Sequence, residues 1–295
     1  MTVRRRLVRV PASSANLGPG YDVLAAAIAL HLELEVAETG EFSVEAGGEP
    51  VPDDRSNLCV RAFETLHPAD GLRFEIRTEI PLARGLGSSA AAIVAGLMAA
   101  DHLFELGLER DDVYSRAVDL EGHPDNVGAA VYGGFVLCPQ ALDGRPRPSP
   151  VRLDPPQGVE GVLVVPDEQV PTERARAAMP ASVPVADAIA NVAAASQLVL
   201  GVERSDLALI AQGLADRLHQ PHRAHLYPRS MELLAEARDL GALGATVSGA
   251  GPALLFWCFW QDTGKVTGAL RGRVGDWAEI RRAPFTPLGA DVPEL

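Results

Sequence analysis

Lysine and cysteine are scarce in this chain of 295 residues. Lys265 is the only lysine, so the lysine of a GK[ST] phosphate loop and the lysine of a protein kinase have no counterpart. The three cysteines, Cys59, Cys138 and Cys258, lie far apart and form no CxxC pair. Such a set favours neither a disulfide framework nor a thiolate metal site, and is typical of small buried side chains.

Positive charge is also in short supply. The chain has 26 basic and 39 acidic side chains, a net charge of −13, which repels nucleic-acid phosphates and anionic membranes. Apolar runs are short: residues 24–32 cannot span a bilayer, and no apolar segment of a signal peptide follows the basic residues 1–6. We therefore expect a soluble cytoplasmic protein that binds neither nucleic acid nor membrane.

The length and the apolar pattern indicate two domains. At roughly 150 residues per domain the chain holds about two, and a hydrophobic fraction of 47% is enough for a core. The proline-rich stretch at residues 139–156 predicts the boundary between a domain at 1–155 and a domain at 156–295. Strands and helices are mixed in both halves, which predicts an α+β fold.

Apolar periodicity predicts the individual elements. In the first half the predicted strands are residues 7–10, 32–37 and 74–80, and the predicted helices are residues 90–104 and 108–120. In the second half we expect strands at 161–165 and 253–260, and helices at 185–200, 206–219 and 231–240. Ser205 and Ser230 are the expected N-caps of the last two helices, and Gly241 is the expected stop.

The segment PLARGLGSSAAA, residues 81–92, lies between a predicted strand and a predicted helix. Gly85 and Gly87 permit positive φ and close approach of the backbone to a ligand, and the helix start offers unpaired N–H groups. Ser88 and Ser89 add hydroxyls that can contact phosphate or a bridging Mg²⁺. The segment predicts a phosphate-binding loop; the alternative is an ordinary strand-to-helix turn capped by serine.

Three further motifs carry polar or glycine-rich patterns. PASSANLGPGYD at 11–22 places Asn16 and Asp22 around a glycine–proline turn, and these side chains can bind amino and hydroxyl groups. EGHPDNVGAAVYGG at 121–134 offers Glu121 to a Mg²⁺ shared with Ser89. TVSGAGPALL at 246–255 is a second glycine-rich turn.

Together, in this order and at these separations, the four motifs resemble the GHMP kinases, and within them the homoserine kinases. The resemblance extends from Pro11 to about Phe256. It implies a two-domain fold, with an N-terminal ATP-binding α/β domain and a C-terminal ferredoxin-like α+β domain, and it implies ATP and Mg²⁺ as cofactors.

The resemblance also implies roles for particular residues. Asn16 and Asp22 hold the substrate amino group, Arg176 and Arg223 clamp its carboxylate, and Thr172 lies in the matching PTERAR segment, where Pro171 replaces the usual serine. The metal partners are Ser89 and Glu121, and the catalytic set is Asp125, Asn126 and Glu121. Asp125 is either the general base or a neighbour of a hydroxyl that Asn126 orients. The ATP loop comprises Pro81, Leu82, Ala83, Arg84, Gly85, Leu86, Gly87, Ser88, Ser89, Ala90 and Ala91.

The implied reaction is transfer of the γ-phosphoryl group of ATP to the hydroxyl of L-homoserine, giving O-phospho-L-homoserine for threonine biosynthesis. A GHMP kinase for another small hydroxy acid such as mevalonate, and a non-catalytic ATP-binding sensor of the same fold, are the alternatives. The oligomeric state is left open by the sequence; a homodimer is one arrangement it allows.

Two features stand apart from these motifs. His219, His222 and His225 form an H-x₂-H-x₂-H run, but Pro221 interrupts it and steps of three do not stack on one helix face, so a metal site is not favoured. Ala83, Gly128 and Tyr21 stand where glycine, alanine and phenylalanine are common in the family. None of these departures removes a polar group that the chemistry needs, so we expect an active enzyme.

Overall fold

The alternating apolar residues of the N-terminal half form one mixed sheet. The computed structural model describes residues 4–47, 51–141 and 147–293. The sheet has the order β3-β4-β2-β5-β6, and β1 pairs with β2. Its strands are β1 (Arg5–Ala15), β2 (Leu24–Glu38), β3 (Ser43–Glu45), β4 (Leu72–Thr78), β5 (Phe135–Leu137) and β6 (Val151–Leu153).

In the described part of this half, four helices accompany the sheet. They are α1 (Leu58–Glu64), α2 (Ser88–Phe104), α3 (Arg110–Glu121) and α4 (Pro124–Tyr132). Helix α2 contacts β1, β2 and the other three helices, and its alanine-rich sequence lets it lie almost completely buried among them. The start of α2 at Ser88 is thereby held within the glycine–serine motif of residues 81–92.

The C-terminal half forms a four-stranded antiparallel sheet with the order β10-β7-β9-β8. The strands are β7 (Val159–Pro166), β8 (Gly244–Val247), β9 (Leu254–Phe259) and β10 (Ala278–Ala283). The helices are α5 (Thr172–Ala177), α6 (Val185–Arg204), α7 (Leu207–Gly213), α8 (Gln220–Arg223), α9 (Pro228–Ala235) and α10 (Thr263–Val274), with a 3₁₀ turn at Ala224–Leu226. The predicted α+β class is confirmed.

Two predicted helices in this half are wrong in their extent. Ser205 ends α6 in a left-handed conformation, and the side chain of Asp206 caps α7 by accepting from Ala208 and Leu209. Helix α7 ends at Gly213, well before residue 219. Helix α9 begins at Pro228 and ends at Ala235, so Ser230 is not its cap; its hydroxyl donates instead to the Pro252 carbonyl.

The change from the first sheet to the second falls between β6 and β7, within or just after the proline-rich stretch. Residues 142–146 of that stretch lie outside the described residues, and the domain division at 155/156 stays a prediction. The chain also returns to the first sheet at its end: Phe285 bridges to Ile28, and Asp291 bridges to Arg9.

Helix α6 is long and apolar enough to cross a membrane by length and composition, with a mean hydropathy of 1.6. Length and composition are weak evidence for a span, since helices of soluble folds also meet these criteria. In the structure α6 packs along α7, and the amide of its buried Asn191 donates to the Pro19 carbonyl. Helix α6 is therefore tied to the loop that carries the first motif.

Candidate active site

A cavity of about 280 Å³ lies where the two sheets approach each other, and all four motifs line it. The polar lining comprises side chains from both halves of the chain: Asn16, Tyr21, Asp22, Ser88, Ser89, Glu121, His123, Asp125, Asn126, Thr172, Arg176 and Arg223. The backbone of Gly85, Gly87 and Gly249 completes the wall. Every predicted catalytic, substrate-binding and metal-binding residue therefore meets in one place.

The glycine–serine motif forms a tight loop at one end of this cavity. Gly85 and Gly87 both have positive φ, +79° and +71°, and Gly87 is the N-cap of α2. A Cβ on Gly85 would overlap the Ser248 carbonyl oxygen, and a Cβ on Gly87 would overlap the Ser13 hydroxyl. Only glycine fits at these two positions, and the loop presents the free N–H groups of the α2 start to the cavity.

The predicted ATP loop divides into residues that line the cavity and residues that do not. Ala83, Gly85, Leu86, Gly87, Ser88 and Ser89 line it, whereas Ala90 and Ala91 are fully buried in the core. The Arg84 guanidinium points to the second sheet, where it donates to the carbonyls of Pro166 and Asp167 at 2.6 Å each. Arg84 therefore joins the loop to the end of β7.

Ser89 and Glu121 are joined directly, because the Ser89 hydroxyl donates to Glu121 Oε2 at 2.6 Å. Burial raises the pKa of Glu121, and the Ser89 hydrogen bond opposes that shift. His123 Nδ1 lies 3.9 Å from Glu121 Oε1, and burial, together with Arg176, lowers the pKa of this histidine. The pair thus offers two oxygens at the cavity wall, with the His123 imidazole beside them.

At the opposite end Asp22 and Arg176 form a two-point ion pair. Arg176 donates to Oδ1 and Oδ2 of Asp22 at 2.7 and 3.0 Å. Asp22 adopts a left-handed backbone conformation, φ +57°. The charges expected to hold a substrate amino group and a substrate carboxylate therefore neutralise each other in this structure.

Arg223 is different, because its partners are all neutral. The residue is 2% exposed and donates to the carbonyls of Ala175 and Gly249, at 2.9 and 3.3 Å. Its other contacts are with the Tyr21 hydroxyl and His219 Nδ1, at 3.4 and 3.2 Å. In the part of the chain that the structure describes, no carboxylate forms an ion pair with Arg223.

Asp125 and Asn126 begin α4 between the two ends of the cavity. Asp125 is 2% exposed, and burial, reinforced by the nearby Asp22 charge, raises the pKa of its carboxyl to about 7. The Asn126 side-chain oxygen accepts from the Ser13 hydroxyl at 2.8 Å. This bond fixes the amide so that its NH₂ group remains available as a donor.

Asn16 and Thr172 complete the predicted substrate-binding set. The Asn16 amide is already engaged on both sides, since Nδ2 donates to the Gly249 carbonyl and Oδ1 accepts from the Asp22 N–H. Asn16 thereby ties the first motif to the last. Thr172 begins α5, one turn before Arg176, and also lines the cavity. The roles of all these residues toward substrate stay predictions.

A second, largely apolar cavity of about 180 Å³ adjoins the glycine–serine loop. Ser88 and Ser89 line both cavities, and Leu58, Ile76 and Leu82 supply part of the apolar wall. This arrangement can hold a flat apolar ring next to a phosphate-binding loop.

Sequence reasoning missed three contributors. Ser13 positions Asn126, the Tyr21 hydroxyl lies between the two arginines, and His219 contacts Arg223. Ser13 and Tyr21 lie within the motif of residues 11–22, so the sequence predicts that they are near the site but not which side chains they contact. His219 was visible only as part of a histidine run, which is a poor signal for a residue that contacts an arginine four positions later.

Family models match both halves of the chain: "GHMP kinases N terminal domain" over residues 57–134, and "GHMP kinases C terminal" over residues 198–271. A homoserine kinase of Thermus thermophilus is 45% identical over 83% of this chain and 84% of the relative. One of Synechococcus is 37% identical over 96% and 92% of the two chains.

A solved structure agrees in fold over nearly the whole length. The crystal structure of a homoserine kinase from Cytophaga hutchinsonii has a TM-score of 0.86 and 28% sequence identity, and the match covers 98% of each chain. The sequence likeness and the structural likeness thus point to the same family.

Proposed function

The chain belongs to the homoserine kinases, a family of the GHMP kinases, and on that premise we propose that it transfers the γ-phosphoryl group of ATP to the hydroxyl of L-homoserine. The product, O-phospho-L-homoserine, then serves threonine biosynthesis. The observation that carries the proposal is the single cavity in which a glycine loop lies at one end and two arginines with an aspartate lie at the other.

The end of the cavity that contains Asp22, Arg176 and Arg223, the amino-acid end, suits an α-amino acid. A substrate carboxylate supplies the counter-ion that buried Arg223 lacks, and a buried charge without such a partner is costly. The substrate zwitterion can also exchange with the Asp22–Arg176 pair, its ammonium meeting Asp22 and its carboxylate meeting Arg176. Both charges of the pair remain compensated in that exchange, which favours a ligand with an ammonium and a carboxylate on one carbon.

The other end suits a nucleotide. The free N–H groups at the start of α2 and the positive end of its dipole favour phosphate oxygens. The apolar cavity beside the loop is placed to take the adenine ring. The net charge of −13 makes such a backbone-built site important, since the loop must attract a polyanion with little help from the rest of the surface.

Ser89 and Glu121 fit the role of Mg²⁺ ligands. They offer an adjacent hydroxyl and carboxylate, and Mg²⁺ in kinases takes one or two protein oxygens, with phosphates and waters as the remaining ligands. No cluster of three or more metal-binding side chains occurs among the described residues, which agrees with a metal held partly by the nucleotide. Mg²⁺ would neutralise charge on the transferring phosphoryl group.

In the transfer, the homoserine oxygen forms a bond to the γ-phosphorus while the bond to ADP breaks. We propose that Asn126, which accepts a hydrogen bond from Ser13, orients the hydroxyl. The hydroxyl proton passes either to Asp125 or to an oxygen of the phosphoryl group that is being transferred. A loose, metaphosphate-like centre gains little from early deprotonation, so we favour the second course.

An ADP-release assay with a panel of alcohols tests the function. We expect turnover with L-homoserine, and at most weak turnover with 4-hydroxybutyrate, 3-aminopropan-1-ol and mevalonate, because the first lacks the ammonium, the second lacks the carboxylate and the third lacks the ammonium. Faster turnover of mevalonate than of L-homoserine would show that the substrate is a different hydroxy acid. ATP binding without turnover of any alcohol would indicate a sensor.

We also propose a homodimer, in which the exposed face of α6 is the surface that a second copy covers. Val185, Ile189 and Val192 on this face are 75%, 64% and 69% exposed, and a two-fold contact needs only one such patch. Sedimentation should give twice the mass of the chain, and Ile189→Glu with Val192→Glu should give a monomer, while Val151→Glu, on β6, should not. A wild-type monomer at all concentrations would contradict the proposal.

A cytoplasmic location is part of the same proposal. The described cysteines are all free and buried, as in proteins of reducing compartments, and ATP is a cytoplasmic substrate. Cell fractionation tests the location; recovery of the protein with the membrane fraction would contradict it.

A further inference from the structure

Arg223 has an unusual set of neighbours for a buried arginine. A buried guanidinium is ordinarily compensated by a carboxylate, yet here the acceptors are two carbonyls, a phenol and one imidazole nitrogen. The imidazole belongs to His219, one turn earlier in the chain and 0% exposed. The metal interpretation of the histidine run does not apply to this residue, because both of its ring nitrogens are engaged by protein groups.

The contacts of the ring determine its protonation. Nε2 lies 2.8 Å from the Gly18 carbonyl oxygen, which can only accept, so Nε2 carries the hydrogen. Nδ1 lies 3.2 Å from an Arg223 nitrogen, which can only donate, so Nδ1 has no hydrogen. Both contacts are satisfied only by the neutral ring in the Nε2–H form.

The surroundings of the ring favour the neutral state on balance, although two carboxylates act against it. Arg223 faces Nδ1, Asp216 Oδ2 lies 3.5 Å from Nε2, and the Tyr21 ring packs 5.4 Å away, centre to centre. The Asp216 carboxylate is also occupied by the N–H groups of residues 218–220. Burial, the largest effect, and Arg223 lower the pKa of His219, whereas Asp216, the hydrogen bond to Gly18 and Asp22 raise it; the net shift is downward.

We propose that His219 is a positioning residue for substrate binding: its neutral ring, fixed through Gly18, holds Arg223 toward the cavity and leaves the guanidinium charge free for a ligand carboxylate. A carboxylate in its place would form an ion pair with Arg223 and compete with the substrate. A permanent cation would repel the guanidinium. The neutral acceptor is the side-chain type that holds the arginine without either effect.

The proposal rests on the proposed function for the identity of the ligand, but one test is independent of activity. In a long-range ¹H–¹⁵N spectrum of protein labelled in histidine, the His219 signals, assigned by their loss in His219→Asn, should show the neutral Nε2–H form from pH 8 to pH 6. A Nδ1–H form, or a ring that is protonated at pH 6, would overturn the proposal whatever the substrate is.

Three substitutions then test the role in binding. The Asn oxygen can occupy the place of Nδ1, so we expect His219→Asn to keep the KM for homoserine within about threefold. His219→Gln places its polar group near Nε2, and His219→Asp introduces a charge, so each should raise that KM at least tenfold. The KM for ATP and the kcat should stay within threefold in all three.

The exposed residue of the same run, changed to His225→Gln, is the matched control and should leave both KM values unchanged. Equal KM values in the Asn, Gln and Asp variants, with equal losses of melting temperature, would show that His219 only supports the fold and would overturn the proposal. Failure of the wild-type enzyme to use homoserine would instead count against the proposed function, and the spectrum would still decide the state of His219.

Discussion

The two ends of the cavity differ in which groups form them, mainly backbone at one end and mainly side chains at the other. The end with the glycine loop, the phosphate end, is mainly backbone: Gly85 and Gly87 have positive φ and lie against Ser248 and Ser13, and the Ser89–Glu121 pair adds polar side chains. The amino-acid end consists of charged side chains held by neutral acceptors and by each other. A backbone site tolerates no added atom, whereas a side-chain site can lose one partner and keep its shape. The two ends should therefore respond differently to substitution.

The largest expected effect is at the phosphate end. Gly85→Ala and Gly87→Ala each force a Cβ into a backbone or side-chain oxygen at positive φ, so we expect kcat/KM to fall by at least about 10². Gly264→Ala is the control: it lies in α10 with nothing within 4 Å of a new Cβ and should leave kcat/KM unchanged. Wild-type kinetics in both loop variants would show that the backbone geometry is not required.

At the amino-acid end we expect a loss confined to one substrate. Arg176→Ala and Arg223→Ala each remove charge-assisted bonds worth roughly 1.5–3 kcal/mol, so the KM for homoserine should rise about 10- to 150-fold while the KM for ATP stays nearly constant. Arg174→Ala, exposed on the same helix as Arg176, is the control. Unchanged homoserine kinetics in both variants would show that the carboxylate binds elsewhere.

Glu121 tests whether the phosphate end needs any charged side chain. Glu121→Gln keeps one oxygen but loses the charge that a hard cation prefers, so we expect kcat to fall about tenfold and the Mg²⁺ titration to shift to higher concentration. Asp119→Asn, exposed on the same helix, should change neither. A Mg²⁺ titration identical to that of the wild type would show that Glu121 is only a helix-end carboxylate.

Asp125 lies between the two ends, and its expected effect on kcat is smaller. If the phosphoryl oxygens take the hydroxyl proton, Asp125→Asn should lower kcat less than tenfold; a loss of 10²–10⁴ would assign a general base. The KM for homoserine must be measured alongside, because a change in KM alone is not evidence for a base.

The same variant has a second readout, in stability. The pKa of Asp125 is about 7 in the folded chain, above its ordinary value, so the folded state binds more protons than the unfolded state between about pH 4 and 7. The free energy of unfolding should therefore fall by about 1.4 kcal/mol for each unit by which the pH rises across that window. Asp125→Asn should remove this part of the slope. An unchanged slope in a thermal melt series would contradict the raised pKa.

The smallest effect is expected at Tyr21. Its hydroxyl accepts from Arg176 and Arg223 at 3.3 and 3.4 Å, long for hydrogen bonds, so Tyr21→Phe should raise the KM for homoserine no more than about threefold. A tenfold rise would show that the hydroxyl, and not only the ion pair and His219, positions the two arginines.

The glycine loop and the residues around the cavity could be predicted because short motifs carry both the turn chemistry and the polar groups. Helix ends were harder. Ser205 and Asp206 are adjacent and both favour caps; α6 extends to Arg204 and ends at Ser205, so Asp206 caps the next helix. The Arg176–Asp22 and Arg223–His219 contacts could not be predicted in the same way. They depend on where α5 and α8 are packed, and no local pattern encodes that.

Residues 284–292, which follow the second sheet in the sequence, complete backbone hydrogen bonds of the first sheet. The backbone of Thr286 bonds to Ala27 and Gly134, Ala290 donates to Ala130, and Asp291 exchanges two bonds with Arg9 on β1. Strand β1, which carries Ser13, is thus separated from these neighbours by nearly all of the intervening elements of both sheets. Contacts between residues so far apart in the sequence form slowly, so we expect the first sheet to complete its hydrogen bonds late in folding, after the second sheet has formed.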